Sequence, residues 1–397
     1  MNDRIKQLAK EYKEEIIKIR QHIHQHPELS FQEHKTMKYI SSLLKEWGIE
    51  HKTKVAKTGI MGHIRGKNPD SKMIMLRADI DALPIKEQNT VSYCSTNEGV
   101  MHACGHDVHT ASLLGTLKIL NQLKDEFEGS VRFIFQPAEE KFPGGAKLMI
   151  EAGVLEKPKP DLVIGQHVYP DFEAGSVGFK EGIYMGSADE ITITVKGKGG
   201  HAAMPEKTPD TILTAAQMLV NMQTVVSRSI LPEIPSVLSF GHIQGGHVFN
   251  VIPSEVLVRG TFRTFSEEWR DKAHKRITQI AKHTAMMNNL EVDVNIDKGY
   301  PFLYNDVPAT EQSITFASTY LGPEYVERLP IRMAAEDFAY FSHECPSVFY
   351  RLGVANKSKD ITAGLHTPLF NIDEKALETG SGLMASLTIS HLEKIKK

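Results

Sequence analysis

Met73-Ile-Met-Leu-Arg-Ala-Asp-Ile-Asp-Ala-Leu-Pro84 reads as a short apolar strand that runs directly into two aspartates, Asp79 and Asp81. A continuous apolar run of this length, closed by turn residues, is the pattern of a strand buried on both faces. The pattern returns twice. Val131 to Phe135 ends in Gln-Pro-Ala-Glu-Glu and delivers Glu139 and Glu140, while Asp161-Leu-Val-Ile-Gly delivers Gln166 and His167 past its end. Ligands of open α/β sheets collect outside the carboxyl ends of strands. Three such segments therefore predict a mixed or mostly parallel α/β sheet with covered faces and its polar residues gathered along one edge.

The helices that cover it are legible from spacing. Ile5, Leu8, Tyr12, Ile16, Ile19 and Ile23 recur at three and four residues, so 3–25 is expected to be an amphipathic helix stopped by Pro27. His22, His24 and His26 then fall near its end, where capping or surface roles are expected. A second helix is expected over 33–47 and a strand over 58–65. A third helix is expected from Thr110 to Leu123, with Asp107 or Thr110 as its amino-terminal cap.

Just before that helix lies Met101-His-Ala-Cys-Gly-His-Asp-Val-His109, with three histidines and a cysteine in nine residues. Thiolate and imidazole suit zinc and its divalent neighbours, and Cys104 and His106 are close enough in sequence to bind one metal ion or two adjacent ones. Asp79 and Asp81 could orient such ligands or simply fix their loop.

From about Ser187 the chain changes character. Strand 190–196, helix 209–228, strands 236–243 and 255–262, helix 266–287 and strand 290–296 follow one another, the order of a split βαβ sandwich. Residues 187–296 are thus expected to form an inserted α+β domain of ferredoxin-like type, with 1–186 and 297–397 making the surrounding domain. The return carries Ala335-Glu336-Asp337-Phe338, a strand over 347–351, Gly364-Leu365-His366-Thr367-Pro368 and a final helix from Asp373 to Lys394.

Composition narrows the function. The 397 residues are 41% hydrophobic and 24% charged, with a net charge of −3, so no basic field invites nucleic acid. The charged start lacks a secretory apolar stretch, and no segment approaches the roughly 18 apolar residues that span a bilayer. A cytoplasmic protein without a membrane partner is expected. The three cysteines, Cys94, Cys104 and Cys345, are too few for a disulfide framework. Cys94 and Cys345 read as packing residues.

Taken along the chain, His24-Gln-His-Pro-Glu-Leu, Arg77-Ala-Asp-Ile-Asp-Ala-Leu-Pro, His102-Ala-Cys-Gly-His-Asp-Val-His, Gln136-Pro-Ala-Glu-Glu, Gly199-Gly-His-Ala-Ala, Asn250-Val-Ile-Pro, Glu336-Asp-Phe and Leu365-His-Thr-Pro form one ordered set. The set resembles the metal-dependent amidohydrolases related to aminoacylases and carboxypeptidases, in the branch of hippurate and indole-acetyl-amino acid hydrolases. The resemblance covers nearly the whole chain. It implies an α/β/α catalytic domain of the phosphorylase/hydrolase-like aminopeptidase type, with the inserted domain as a lid or dimerisation element of a homodimer. It further implies two divalent metal ions on Cys104, His106, Glu140, His167 and His366, with Glu139 as general base and His201 and Asn250 as substrate contacts. Related branches have aspartate where this chain has cysteine, which leaves manganese, zinc and nickel open.

The residue types suit that chemistry in their own right. A carboxylate that is not a ligand can take a proton from metal-activated water and pass it to a departing nitrogen. The expected reaction is hydrolysis of the amide of an N-acyl amino acid: N-acetyl, benzoyl or aryl-acetyl. A dipeptidase or carboxypeptidase would use the same site, and a catalytically silent binding protein would keep the metal alone. Arg263 and Arg332 could pair with a substrate carboxylate or with surface acids. Glu206 stands where many members of that branch have histidine, which bears on the substrate rather than on the reaction.

Overall fold

Two units make up residues 1–393, the part of the chain described by the computed structural model. The first comprises Met1–Tyr184, Tyr304–Ile331 and Asp337 onward; the second comprises Met185–Leu303 with Arg332–Glu336.

The first unit opens with α1 (Asn2–Gln25), α2 (His34–Glu46), β1 (Glu50–Val55), β2 (Gly59–Arg65) and β3 (Met73–Asp79). There follow α3 (His106–Gln122), β4 (Ser130–Gln136), α4 (Gly145–Glu151), β5 (Leu162–Glu173), β6 (Val177–Phe179) and β7 (Gly182–Met185). The second unit contributes β8 (Asp189–Lys196), β9 (Gly200–His201), α5 (Thr211–Arg228), β10 (Ser236–Gln244), β11 (Val251–Ile252), β12 (Glu255–Thr264), α6 (Glu267–Met287) and β13 (Glu291–Lys298). The chain closes through β14 (Leu303–Asn305), α7 (Val307–Leu321), β15 (Val326–Arg328), α8 (Ala339–Glu344), β16 (Ser347–Ala355) and α9 (Lys375–Glu393). The expected end of that last helix, Lys394, lies outside the described residues.

The main sheet runs β1-β2-β4-β3-β5-β16-β6-β15 and is mixed. Strands β4, β3, β5 and β16 are mutually parallel where they pair, and β1, β2 and β6 bring antiparallel edges. Every residue of β3, β4 and β16 is buried, which requires cover on both faces. Helices α1, α3 and α9 pack on one another, with α3 against β3 and β5 and α9 against β3 and β16; α4 and α8 touch each other and pack on β4 and β16. The core they enclose joins Ile16, Ile19 and Ile23 of α1 to Leu113, Leu117 and Leu120 of α3 and to Phe133, Ile164 and Tyr350 of the sheet.

The second unit is a four-stranded antiparallel sheet in the order β10-β12-β8-β13, carrying α5 and α6. Numbered within the unit, its strands lie in the order 2-3-1-4, the split βαβ arrangement. It extends beyond 187–296 on both sides. The Gly186 amide reaches the Arg332 and Ala334 carbonyls at 3.1 Å each, and Arg263 Nη1 donates to the Met333 carbonyl at 3.1 Å, so 332–336 belong with it. Among the described residues no helix is long and apolar enough to cross a membrane.

Asp189 is the polar anchor of the second unit. Its carboxylate accepts from Arg270 Nε at 3.0 Å, from the Gly299 amide at 3.2 Å and lies 2.6 Å from His274 Nε2. Burial alone would raise its pKa, but the bonds from His274 and Arg270 hold it below the ordinary 3.8. A carboxylate with a depressed folded pKa contributes stability that is full above the unfolded value and is lost as pH falls through the folded one. The melting temperature is therefore expected to drop as pH falls below about 3.8, and Asp189→Asn should flatten that acid limb. Calorimetry between pH 6 and pH 2 reads both; an unchanged acid limb in the variant would refute the assignment.

Candidate metal centre

Strands β3, β4 and β5, the start of helix α3 and the loop before α9 carry the side chains of the centre. Asp79 ends β3, Asp81 follows it, and Glu139 and Glu140 follow β4 in a loop where Ala138 takes the left-handed φ of +49°. That loop is fixed from two sides. The Ala138 amide donates to the buried Glu33 at 2.9 Å, while the Glu139 and Glu140 amides donate to the two oxygens of Asp81 at 3.1 Å each. Both glutamates are thus aimed by backbone bonds rather than by strand alternation.

Helix α3 begins at His106, four residues earlier than Thr110. The residue before it, Gly105, has a φ of +82°, and a Cβ there would stand 2.6 Å from Val168 Cγ2. Only glycine admits this turn. Neither Asp107 nor Thr110 caps the helix: Thr110 Oγ1 donates to the Asp79 carbonyl at 2.8 Å, and Asp107 faces Arg20 and His24. His106 consequently sits on a rigid helix, with Nδ1 2.9 Å from the Asp81 carbonyl and 3.2 Å from its carboxylate.

His167 lies inside β5, not past its end. The strand continues to Glu173 because β16 pairs alongside it that far, with Arg351 opposite His167. Its Nδ1 lies 2.8 Å from the Val168 carbonyl, which leaves Nε2 to face Cys104 Sγ at 3.5 Å. His366 arrives from the loop before α9 with a φ of +60°, its amide bonded to the Ala103 carbonyl at 2.8 Å. Its Nε2 lies 3.3 Å from Cys104 Sγ and 3.2 Å from Glu140 Oε1.

The structure thus brings Cys104, His106, Glu139, Glu140, His167 and His366 together. Their ligand atoms fall into overlapping groups: Cys104 with His106 and His167, Cys104 with Glu140 and His366, and His106 with Glu139 and Glu140, each within 4.8 Å. Two groups that share one thiol describe two neighbouring ion positions. Ligands on one tetrahedral ion with bonds of about 2.0 to 2.3 Å stand about 3.3 to 3.8 Å apart, the range seen around Cys104.

Electrostatics make the same demand. His106 Nε2 is buried without a hydrogen-bond partner, 3.9 Å from Glu140 Oε1. Burial pushes the Cys104 thiol well up, and Glu140, Glu139 and Asp79 push it further. Burial holds His167 well down, so its imidazole is neutral, while Asp79, Asp81 and Glu140 overcome burial and raise His106 to about 10. A cluster of carboxylates around a thiol and neutral imidazole is what a divalent cation would neutralise, since it deprotonates a thiol and takes the free imidazole nitrogen. The residues present fit the group.

Around these residues lies a supporting layer, of which the sequence singled out Asp79 and Asp81 but not their partners. Asp79 holds His109 Nδ1 at 2.6 Å, and His109 Nε2 accepts from the Val168 amide at 2.9 Å. Arg77, wholly buried in β3, donates to Asp79 at 2.6 Å, Asp337 at 2.8 Å and Gln136 at 2.9 Å. The Asp337 amide in turn faces Glu139 Oε1 at 3.4 Å. His24, expected as a cap or surface residue, is buried; it lies 2.8 Å from Asp107, which Arg20 also holds at 2.7 Å. His102 is buried with neither ring nitrogen hydrogen-bonded. The available signal was an arginine inside an otherwise apolar strand, which demands a buried carboxylate partner.

His201 and Asn250 belong to the second unit. Strand β9 pairs with β11, placing His201 opposite Val251, and the Ala202 amide donates to the Asn250 carbonyl at 3.0 Å. The two residues share one short ribbon. Arg263 donates to a backbone carbonyl.

A family profile described as Peptidase family M20/M25/M40 matches residues 75–390. The N-acyl-L-amino acid amidohydrolase of Geobacillus stearothermophilus is 44% identical over 298 residues, 75% of this chain and 80% of that protein. The N-acetylcysteine deacetylase of Bacillus subtilis is 40% identical over 390 residues, 96% of this chain and 98% of that one. Among solved structures, the Bacillus subtilis YXEP protein, described as a dinuclear metal binding peptidase from the M20 family, superposes with a TM-score of 0.82 at 36% identity, covering 97% of this chain and 100% of that one.

Proposed function

The chain belongs to the Peptidase family M20/M25/M40 and is a hydrolase of amide bonds, from which we infer a metal-dependent deacylase of N-acyl amino acids whose centre is the Cys104 cluster. Two divalent ions are assigned to Cys104, His106, Glu140, His167 and His366, with manganese, zinc or nickel as the candidates. The observation that carries this reading is the buried His106 Nε2, without a hydrogen-bond partner, beside the Cys104 thiol that two groups of ligand atoms share.

Bound there, divalent ions lower the pKa of water and polarise the amide carbonyl. The chain supplies the rest. Asp81 fixes the His106 ring and both glutamate amides, so Glu139 and Glu140 converge although they are neighbours in sequence. Glu139, set by the Asp337 amide, takes the proton from water and returns it to the leaving nitrogen. His201 and Asn250 contact the substrate. The inserted unit acts as a lid or dimerisation element of a homodimer; its edge strands β10 and β13 offer unpaired backbone for such pairing. Cytoplasmic action fits three free, scattered cysteines.

The test is a substrate panel on chelator-treated protein reloaded separately with manganese, zinc and nickel. N-acetyl- and N-benzoyl-amino acids are expected to be cleaved at least about tenfold faster than dipeptides. Faster cleavage of dipeptides would move the protein to the peptidase reading, and no turnover with any metal would leave a binding protein.

A further inference from the structure

Glu33 stands at the amino-terminal cap position of α2, yet its side chain does not cap the helix. Glu28 takes that part, accepting from the Lys35 and Thr36 amides at 2.8 and 2.9 Å. The Glu33 side chain turns inward instead, wholly buried, to three neutral donors: the Phe31 amide at 2.9 Å, the Ala138 amide at 2.9 Å and Thr58 Oγ1 at 2.6 Å. Burial raises its pKa, the Thr58 bond works against that rise, and Asp81 adds to it. Stability alone does not account for such a group, since an apolar side chain of like volume would fill the space without the desolvation cost.

Its two backbone partners have a strained conformation in common. Phe31 has a φ of +66° and Ala138 a φ of +49°, left-handed values that a residue with a Cβ rarely adopts, and both amides donate to the same oxygen, Oε1. Strained residues persist where their surroundings over-determine them. Ala138 is held at both ends, because the Gly145 amide also donates to its carbonyl at 2.9 Å. The next residue is Glu139, whose carboxylate lies within 4.8 Å of the ligand atoms of His106 and Glu140. Any turn of the Ala138 backbone would swing that carboxylate.

We propose that Glu33 is a positioning residue for the general base: by accepting from the Ala138 amide it keeps that residue left-handed and the Glu139 carboxylate turned into the metal centre. The inference rests on the reading of Glu139 as the base. It requires the reach and the oxygen of the Glu33 side chain, not its charge.

The experiment compares wild type, Glu33→Gln, Glu33→Asp and Glu33→Asp combined with Ala138→Gly. Each is saturated with whichever of manganese, zinc and nickel gives wild type its highest turnover of an N-acetyl-amino acid. Glutamine keeps Oε1 for both amides and can donate to Thr58, so its kcat is expected to stay within about threefold of wild type. Aspartate is one methylene short; its kcat is expected to fall about tenfold or more while KM moves by less than about threefold. Glycine adopts a positive φ without being held there, so adding Ala138→Gly should recover kcat about threefold or more. A merely structural Glu33 would change the melting temperature and leave kcat at 25 °C alone. If Glu33→Asp does not fold, Glu33→Met, which fills the volume without an oxygen, carries the same expectation. A kcat within about twofold of wild type in the short variant, an equal loss in Glu33→Gln, no recovery with glycine, or loss of bound metal each overturns the inference. A wild type that turns over no N-acyl amino acid, or an active Glu139→Gln, overturns the reading of the base and this inference with it.

Discussion

Glu139→Gln is expected to lower kcat by about 10²- to 10⁴-fold while the metal content of the protein stays at the wild-type level. Glutamine keeps the shape of the side chain and an oxygen to accept the Asp337 amide, now 3.4 Å from Oε1. The Glu139 backbone amide stays on Asp81 as before. What the substitution removes is the capacity to take a proton from water, and the proposed ligands are untouched. Metal analysis beside steady-state kinetics checks both halves. Retention of activity to within about tenfold would remove Glu139 from the role of base; loss of metal would make it a ligand.

Arg77→Met is expected to cost about 3 to 5 kcal/mol of stability, because it removes the guanidinium that two buried carboxylates share. Asp79 and Asp337 both lie at zero side-chain exposure against the guanidinium. Gln136 and the Ala146 amide still reach Asp337, and His109 still reaches Asp79, but none of these need carry a charge. The melting temperature should fall by about 6 to 20 °C. Arg77→Lys should rescue little, since one ammonium cannot reproduce a fork bonded to three partners. The exposed pair of Arg65 and Glu50 provides the contrast: Arg65→Met should shift stability by less than about 1 kcal/mol. Equal melting shifts for the two arginines would refute the account.

The contrast between those arginines also explains what the sequence discloses. Strands β3 and β4 are legible because a run of four apolar residues, Met73 to Leu76, and four apolar residues among the five from Val131 to Phe135 have one economical use. The helical period of α1 is legible too, yet Arg20 and His24 fall on its buried side, four residues apart, and their partner Asp107 comes more than eighty residues later. Nothing local announces that pairing. Strand β5 was expected to stop near Gly165, since Gln-His-Val-Tyr-Pro-Asp-Phe-Glu has no strand period; its pairing with β16 extends it. Strand β1, Glu-His-Lys-Thr-Lys-Val, is a polar edge strand and reads as loop. The liganding residue types stand out at the sequence level, whereas the Asp81, Asp337 and Glu33 contacts that aim them exist only once the sheet has assembled.

The pairing of β5 with β16 also sets a schedule for the newborn chain. Val163 lies opposite Ser347, which follows it by 184 residues (347 minus 163). At about 5 to 20 residues per second, the ribosome takes roughly 10 to 40 s to deliver the second strand. Until then β5 has β3 on one side and an open apolar edge on the other. The inserted unit, with a core of its own, can condense meanwhile and shorten the loop that must close. The interval before β16 docks is thus when the chain is most exposed to aggregation and most in need of a chaperone, and His167 lies on the strand left waiting.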